Sequence, residues 1–204
     1  MLHLRAIDPG TLGILKSLMQ EPFLANNFLV GGTGLALKMG HRLSVDLDLF
    51  THTPFDAEQL LASLQGKYTV QPLTVTNTIF IVVLEGVKVD CVHFKYPFAF
   101  PLVSMEGICM ADIRDIAPMK LDAVTKRGSK KDFFDMYYLF EQFPPQQVLQ
   151  WYEQMFKHST SFHVIRSLTY FEDAEQTEMP VVFDKKVTWA KVKERLIQLI
   201  RENF

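Results

Sequence analysis

Hydrophobic and polar residues alternate in several short runs of the first half of the chain, as they do in strands with one buried face. Between these runs, leucines recur three or four residues apart, as in amphipathic helices. The Glu85-Gly86 pair between two of the runs predicts a two-residue hairpin. The pattern predicts strands over residues 27–30, 45–50, 68–74, 78–84, 87–94 and 108–110, and helices over residues 11–20, 34–39 and 54–64.

The second half of the chain has helical periodicity from Asp112 onward and no strand alternation. Pro118 is expected to kink the first helix there or to mark its first turn, because proline lacks the amide that an inner turn uses. The change in pattern predicts two domains, residues 1–110 and residues 111–204. Helices are predicted over residues 112–128, 131–142, 145–157, 161–173 and 186–202.

The composition fits a folded protein in a reducing compartment. With 204 residues and 48% hydrophobic content, the chain can bury one large core or two small ones. The formal net charge of -2 argues against nucleic-acid binding through overall basicity, so any contact with RNA must be local. Cys91 and Cys109 lie in apolar runs and are expected to be buried thiols. No apolar stretch reaches the length of a membrane span, so we expect a cytoplasmic protein without a membrane partner.

The segments Gly31-Gly32-Thr33 and Asp46-Leu47-Asp48 together suggest phosphate chemistry. The two glycines follow a short strand and precede a helix, whose free amides would face a phosphate. Asp46 and Asp48 lie on one face of their strand, where the repulsion between them favours a divalent cation such as Mg²⁺ or Mn²⁺. Either motif alone is more often an ordinary turn or a pair of surface aspartates on an edge strand. Their joint order in an apolar setting favours the chemical interpretation.

Asp90 lies in the apolar strand predicted over residues 87–94. An unpaired carboxylate there would be costly to bury. If this strand is next to that of Asp46 and Asp48, Asp90 becomes the third carboxylate of a metal site. The alternative is an aspartate on an edge strand, paired with Lys88 or Arg42.

Lys120 falls on the same helical stripe as Ile116, Ala117 and Val124, on or beside a buried face. Two interpretations stay open for it. It is either a surface lysine that extends its ammonium group to solvent, or a cation that contacts triphosphate oxygens.

Asp132 and Asp135 share a face of the next predicted helix. Asp132, like Ser129, is placed to cap free amides at the start of that helix. Asp135 is surrounded by aromatic residues, whose pattern favours a core over a surface for stacking bases. An inward Asp135 would bind Lys120 or Arg127, or orient an attacking hydroxyl.

With these residues, the chain resembles the nucleotidyltransferase family of the AbiEii/AbiGii toxins, within the DNA polymerase β-like superfamily. One block of the resemblance runs from Phe28 through Phe50 and contains both motifs. The other runs from Asp112 through Leu139 and contains Lys120 and the two helix aspartates. Thr33 stands where the superfamily often has serine, which keeps the hydroxyl group.

The resemblance implies an α+β fold, in which a polymerase β-like core with a mixed sheet and flanking helices precedes a C-terminal helical domain that closes the active-site cleft. It implies that Asp46 and Asp48 bind the metal and that Asp90 completes the site and helps to activate the acceptor hydroxyl. The residues that it places near the nucleotide are Gly31, Gly32, Thr33, Arg42, Ser44, Lys120 and Asp132, with Asp135 as a further catalytic candidate.

The implied activity is Mg²⁺-dependent transfer of a nucleoside monophosphate from an NTP to a hydroxyl acceptor. By resemblance, the acceptor is RNA, tRNA or a protein, and the enzyme is the toxin of a toxin-antitoxin or phage-defence system with a separate antitoxin protein. Two other functions remain open. One is a noncatalytic nucleotide-binding or partner-binding module on the same fold, and the other is a kinase-like phosphotransferase.

Overall fold

The computed structural model describes residues 1–157 and 161–204. These residues form two units, Met1–Asp112 and Ile113–Phe204. The described part of the first unit contains a seven-stranded sheet with helices, and that of the second is helical. The α+β class predicted from the sequence is therefore confirmed.

The first unit contains the strands β1 to β7 and the helices α1 to α3. The strands are Phe28–Leu29, Leu47–Thr51, Val70–Val75, Ile79–Leu84, Val87–His93, Val103–Met105 and Ile108–Met110, in chain order. The helices are Pro9–Leu18, Gly31–Met39 and Ala57–Gln65. The strand order in the sheet is β3-β4-β5-β2-β1-β7-β6, with parallel pairing of β2 with β5 and of β1 with β7.

One face of the sheet is buried and the other is partly exposed. Leu47 and Leu49 of β2 belong to the same core cluster as Leu15 of α1 and Leu60 of α3. The alternate residues of β2, such as Asp48 and Phe50, are only partly buried. The alternation follows from the two-residue period of a strand, and it places the polar candidates on the open face.

The predicted hairpin is present at Glu85-Gly86, where both residues have positive φ values of 50° and 84°. This is the geometry of a type I′ turn, whose twist matches that of the two strands. The Glu106-Gly107 turn repeats it with φ values of 53° and 78° and joins β6 to β7. The hydrophobic pattern did not predict β6, although the same dipeptide was a signal for it.

The second unit contains the helices α4 to α9. Their bounds are Ile113–Lys126, Lys130–Gln142, Pro145–Met155, Ser161–Ser167, Glu172–Glu175 and Trp189–Asn203. Phe133 and Phe134 are buried and pack against Trp189, with ring centroids 5.7 Å and 6.0 Å apart. The aromatic residues around Asp135 therefore form a core, as predicted. No helix in the described part of the chain combines the length and apolar character needed to span a membrane.

Three local predictions differ from the structure in whole or in part. Residues 161–173 form two helices because the Thr169 hydroxyl donates to the Arg166 carbonyl and the chain turns there. Pro118 lies inside α4, beyond its first turn, so it does not mark the start of the helix, and the alternative of a kink stays a prediction. Cys91 is buried, but Cys109 is only partly buried because it lies in β7, near the end of the sheet.

Candidate active site

Helix α2 begins at Gly31, three residues before the predicted start, so the glycine turn is its first helical turn. Gly31 has a φ of 62°, which residues with a side chain rarely adopt. A Cβ atom at Gly31 would lie 2.6 Å from Cγ of Asp48 and would overlap that carboxylate. The backbone at the start of α2 is therefore in direct contact with Asp48, and only glycine leaves room for it.

Arg42 lies beside the second glycine. A Cβ atom at Gly32 would lie 2.5 Å from Nη2 of Arg42. The arginine is 3% exposed, and its Nη1 donates to the carbonyl of Leu43 at 3.1 Å. The start of α2 thus has a buried cation on one side and the Asp48 carboxylate on another.

Thr33 and Ser44 are both buried beneath this turn. The Thr33 hydroxyl donates to the carbonyl oxygen of Asp46 and lies 2.8 Å from Oγ of Ser44. These side chains therefore tie α2 to the segment that leads into β2. The amides of the first turn of α2 have no acceptor within the helix, so they remain the natural donors to a phosphate.

Two of the three candidate carboxylates of the first unit lie on neighbouring strands. Asp48 of β2 is directly opposite Asp90 of β5 in a parallel register. Asp46 was predicted within a strand, but β2 begins at Leu47 and Asp46 lies in the segment before it. The Thr33 contact with the Asp46 carbonyl holds this residue outside the ladder.

Asp90 is not on an edge strand, because β5 lies between β4 and β2. The predicted pairing with Lys88 is nevertheless present, since Nζ of Lys88 is 2.5 Å and 2.7 Å from the two Asp90 oxygens. The neighbouring strands meet the condition for the first alternative, but metal binding by Asp90 stays a prediction. Over residues 1–157 and 161–204, no three His, Cys, Asp or Glu side chains converge into a group that could hold a metal.

The other candidates form a buried ion-pair cluster within the second unit. Lys120 has a side chain that is 4% exposed, and its Nζ lies 2.7 Å from Asp135 and 3.3 Å from Asp132. The interpretation of Lys120 as a surface lysine was therefore wrong. Asp135 faces inward and binds Lys120, as one of its predicted roles requires.

Asp132 accepts hydrogen bonds from three side chains. Nε of Arg127 donates to it at 2.9 Å and the Ser129 hydroxyl at 2.6 Å, in addition to the contact with Lys120. The predicted capping role was wrong, because Ser129 makes no side-chain cap and donates to Asp132 instead. Burial raises the pKa of Asp132, but the two cations and the hydroxyl outweigh it and bring the pKa well below its usual range.

The first unit brings together eight of the predicted residues, and the second unit contains Lys120, Asp132 and Asp135. The sequence pattern missed a group of aromatic and basic residues at the far ends of β2 and β5, which includes His52 and Phe94. The available signal was the strand period, since His52 continues the alternation of Asp48 and Phe50.

Relatives of this chain were found by sequence and by structure. A protein of Aquifex aeolicus (strain VF5) that is described as uncharacterized is 31% identical over 189 residues, which cover 88% of this chain and 89% of that protein. A solved structure from H. pylori has a TM-score of 0.62 at 17% identity and covers 96% of this chain and 95% of that one. The nucleotidyltransferase toxin MenT4 from Mycobacterium tuberculosis H37Rv has a TM-score of 0.54 at 14% identity, over 85% of this chain and 75% of that one.

The two structural neighbours show that this chain shares their fold. Residues 13–106 match the model of the family described as nucleotidyl transferase AbiEii toxin, Type IV TA system. The matched segment contains the glycine turn and the three carboxylates of the first unit. The chain belongs to the AbiEii nucleotidyltransferase toxin family.

Proposed function

We propose that this nucleotidyltransferase transfers a nucleoside monophosphate from an NTP to a hydroxyl group in the presence of Mg²⁺ or Mn²⁺. The observation that carries the proposal is the contact between the Gly31 backbone and Asp48, with Asp90 next to Asp48 in the sheet. A triphosphate bound at the start of α2 would thereby have its α-phosphate beside two carboxylates.

The residues of the first unit suit this reaction. The amides of Gly31, Gly32 and Thr33 would donate to the triphosphate, and Arg42 would add positive charge next to them. The acceptor oxygen forms a bond to the α-phosphorus while the bond to the β-phosphate bridge breaks, which releases pyrophosphate. Asp90 is the proposed acceptor of the proton that the hydroxyl loses.

The donor set fits a hard divalent cation. Asp46, Asp48 and Asp90 offer carboxylate oxygens, and Mg²⁺ commonly takes one or two carboxylates together with substrate phosphates. A complete protein cage is therefore not required. Lys88 balances the charge of Asp90 in the structure. When bound, the ion would neutralise charge on the phosphates and align them for attack.

The roles of the second unit follow from its ion pairs. Because two carboxylates surround Lys120, we assign Asp132 and Asp135 the role of holding that lysine in one position. Contact of Lys120 with a triphosphate remains part of the proposal. So do an RNA, tRNA or protein acceptor, and an antitoxin partner that the toxin-antitoxin description of the family suggests.

The test is transfer of label from NTPs to total RNA and to protein in the presence of Mg²⁺. Asp48→Asn should reduce transfer by more than the ~10- to 100-fold that loss of a group outside the metal ligands costs. Its melting temperature should stay the same or rise, because one of two neighbouring negative charges is removed. Glu58→Gln, which replaces an exposed acid on α3, is the matched control and should keep full activity.

The position of the label separates the alternatives. Label from the α-phosphate should reach the acceptor together with release of pyrophosphate. Transfer of the γ-phosphate would instead identify a kinase-like enzyme. NTP binding without Mg²⁺ dependence and without transfer would identify a noncatalytic module. Full activity in a variant that combines Asp46→Asn with Asp48→Asn would refute the proposal.

A further inference from the structure

Aromatic and basic side chains surround an open cavity of about 570 Å³ in the first unit. Its volume is within the range of about 300–1,000 Å³ that small-molecule sites occupy. The rings of Phe94 and Phe98 are 5.8 Å apart, and Phe98 lies 4.9 Å from His52. The residues that line the cavity are His52, His93, Phe94, Lys95, Pro97, Phe98, Phe100 and Leu102.

This cavity lies on the same face of the sheet as the catalytic carboxylates. Asp48 and His52 are four residues apart on or just after β2, so their side chains point to the same side, about 13 Å apart. Asp90 and Phe94 repeat this spacing on or just after the neighbouring parallel strand. Phe50 lies between Asp48 and His52 along the chain, and its ring is 5.4 Å from that of Phe94 on the neighbouring segment.

The aromatic group is held in place and is also accessible. Nδ1 of His52 is 2.8 Å from the Phe94 carbonyl, and the Phe94 amide donates to the Thr51 carbonyl at 2.8 Å. The ring of Tyr96 lies 5.4 Å from that of Phe94 and is 39% exposed. Lys95 is exposed at the same rim and contributes a positive charge.

Aromatic rings beside a lysine match the chemistry of unpaired nucleotides, whose bases stack and whose phosphates are anionic. Stacked nucleotides rise about 3.4 Å each along one strand, so the distance from His52 to Asp48 corresponds to about four of them. A strand whose bases enter the cavity could therefore present its terminal hydroxyl at the carboxylates.

The geometry points to the site that binds the acceptor: the bases at the unpaired end of a single-stranded polynucleotide stack on the rings of the cavity and on the exposed Tyr96 ring next to Phe94, with a phosphate beside Lys95. This inference rests on the proposed transferase function and extends it. The net charge of the chain, -2, makes such a local basic and aromatic site necessary for nucleic-acid binding.

Binding can be measured without catalysis. A fluorescently labelled RNA oligomer of about eight nucleotides is titrated with the full chain in the absence of NTP, and anisotropy gives the Kd. A DNA oligomer of the same sequence and the corresponding RNA duplex are the comparison ligands. The single strands should bind more tightly than the duplex, and the difference between RNA and DNA identifies the natural acceptor.

Two variants separate stacking from charge. Tyr96→Ala should weaken binding by about 5- to 150-fold, the cost of losing one base–aromatic stack. Lys95→Ala should weaken binding at low salt and reduce the slope of log K against log salt by about 0.7, the value for one phosphate contact on a single strand. Phe162→Ala is the matched control, because Phe162 is an exposed ring, 62% accessible, with Arg166 5.8 Å from its centroid.

Asp48→Asn distinguishes this inference from the transferase proposal. The variant should bind the RNA oligomer as tightly as the wild type, even though transfer is lost. Equal Kd values for the wild type, Tyr96→Ala and Lys95→Ala would overturn the inference. The inference would also be overturned if Tyr96→Ala or Lys95→Ala raised only the KM for NTP, since the cavity would then hold the base of the NTP. Transfer of label exclusively to protein would overturn it as well.

Discussion

The buried cluster around Lys120 allows a quantitative prediction about stability. The change is Lys120→Met, which keeps most of the side-chain volume and removes the charge. In the wild type, Nζ lies 2.7 Å from Asp135 and 3.3 Å from Asp132, and both carboxylates are inaccessible to solvent. Asp132 would keep Arg127, but Asp135 would lose its 2.7 Å contact with Lys120.

Removal of one partner of a buried ion pair lowers the free energy of unfolding by about 3–5 kcal/mol, because the remaining charge stays desolvated. Proteins of about 150–250 residues lose roughly 2–4 °C of Tm per kcal/mol, and this chain has 204 residues. The expected decrease in Tm is therefore at least about 6 °C. Adding Asp135→Leu should recover part of the loss, because it removes the buried carboxylate whose charge Lys120 had offset.

The matched control is Lys126→Ala on the same helix. Lys126 pairs with Asp122 at 2.7 Å but is 71% exposed, and such surface pairs contribute about 0.3–0.5 kcal/mol. Both tryptophans, Trp151 and Trp189, lie in the helical unit, so their fluorescence during urea denaturation follows that unit alone. If Lys120→Met lowers the free energy of unfolding by no more than Lys126→Ala does, the assignment of a buried ion-pair cluster is wrong.

Two further predictions concern the turn at α2 and the response to acid. Gly31→Ala should lower the free energy of unfolding by at least about 1–2 kcal/mol because of the positive φ, and should reduce transfer because the new side chain displaces Asp48. Gly13→Ala is the control and should keep activity, because there is open space around Gly13 in α1. Because the pKa of Asp132 is lowered on folding, its stabilising contribution is complete above about pH 5 and is lost as the pH falls through about 4 towards the folded pKa. Tryptophan fluorescence should show this decline, and Asp132→Asn should make it shallower; an identical slope in the variant would contradict the assigned ion pairs.

The local elements could largely be predicted from the sequence. The alternation at 87–94 and the Glu85-Gly86 turn agree with β5 and its hairpin, because the strand period and the turn geometry are both local properties. The ends of strands and helices were predicted less accurately where contacts between distant residues decide them. Asp46 is outside β2 because Thr33, from a different element, holds its carbonyl. Likewise, α2 begins at Gly31, where the backbone meets Asp48.

The sequence by itself determined which residue types are available: two glycines before a helix, carboxylates on alternate strand positions, and a lysine on an apolar helical stripe. Only the tertiary structure decided which of them meet. The pairing of β2 with β5 places Asp90 beside Asp48, and the packing of α4 with α5 encloses Lys120 between two carboxylates. Strand order and helix packing depend on contacts between residues far apart in the chain, which no local pattern of hydrophobic and polar positions specifies.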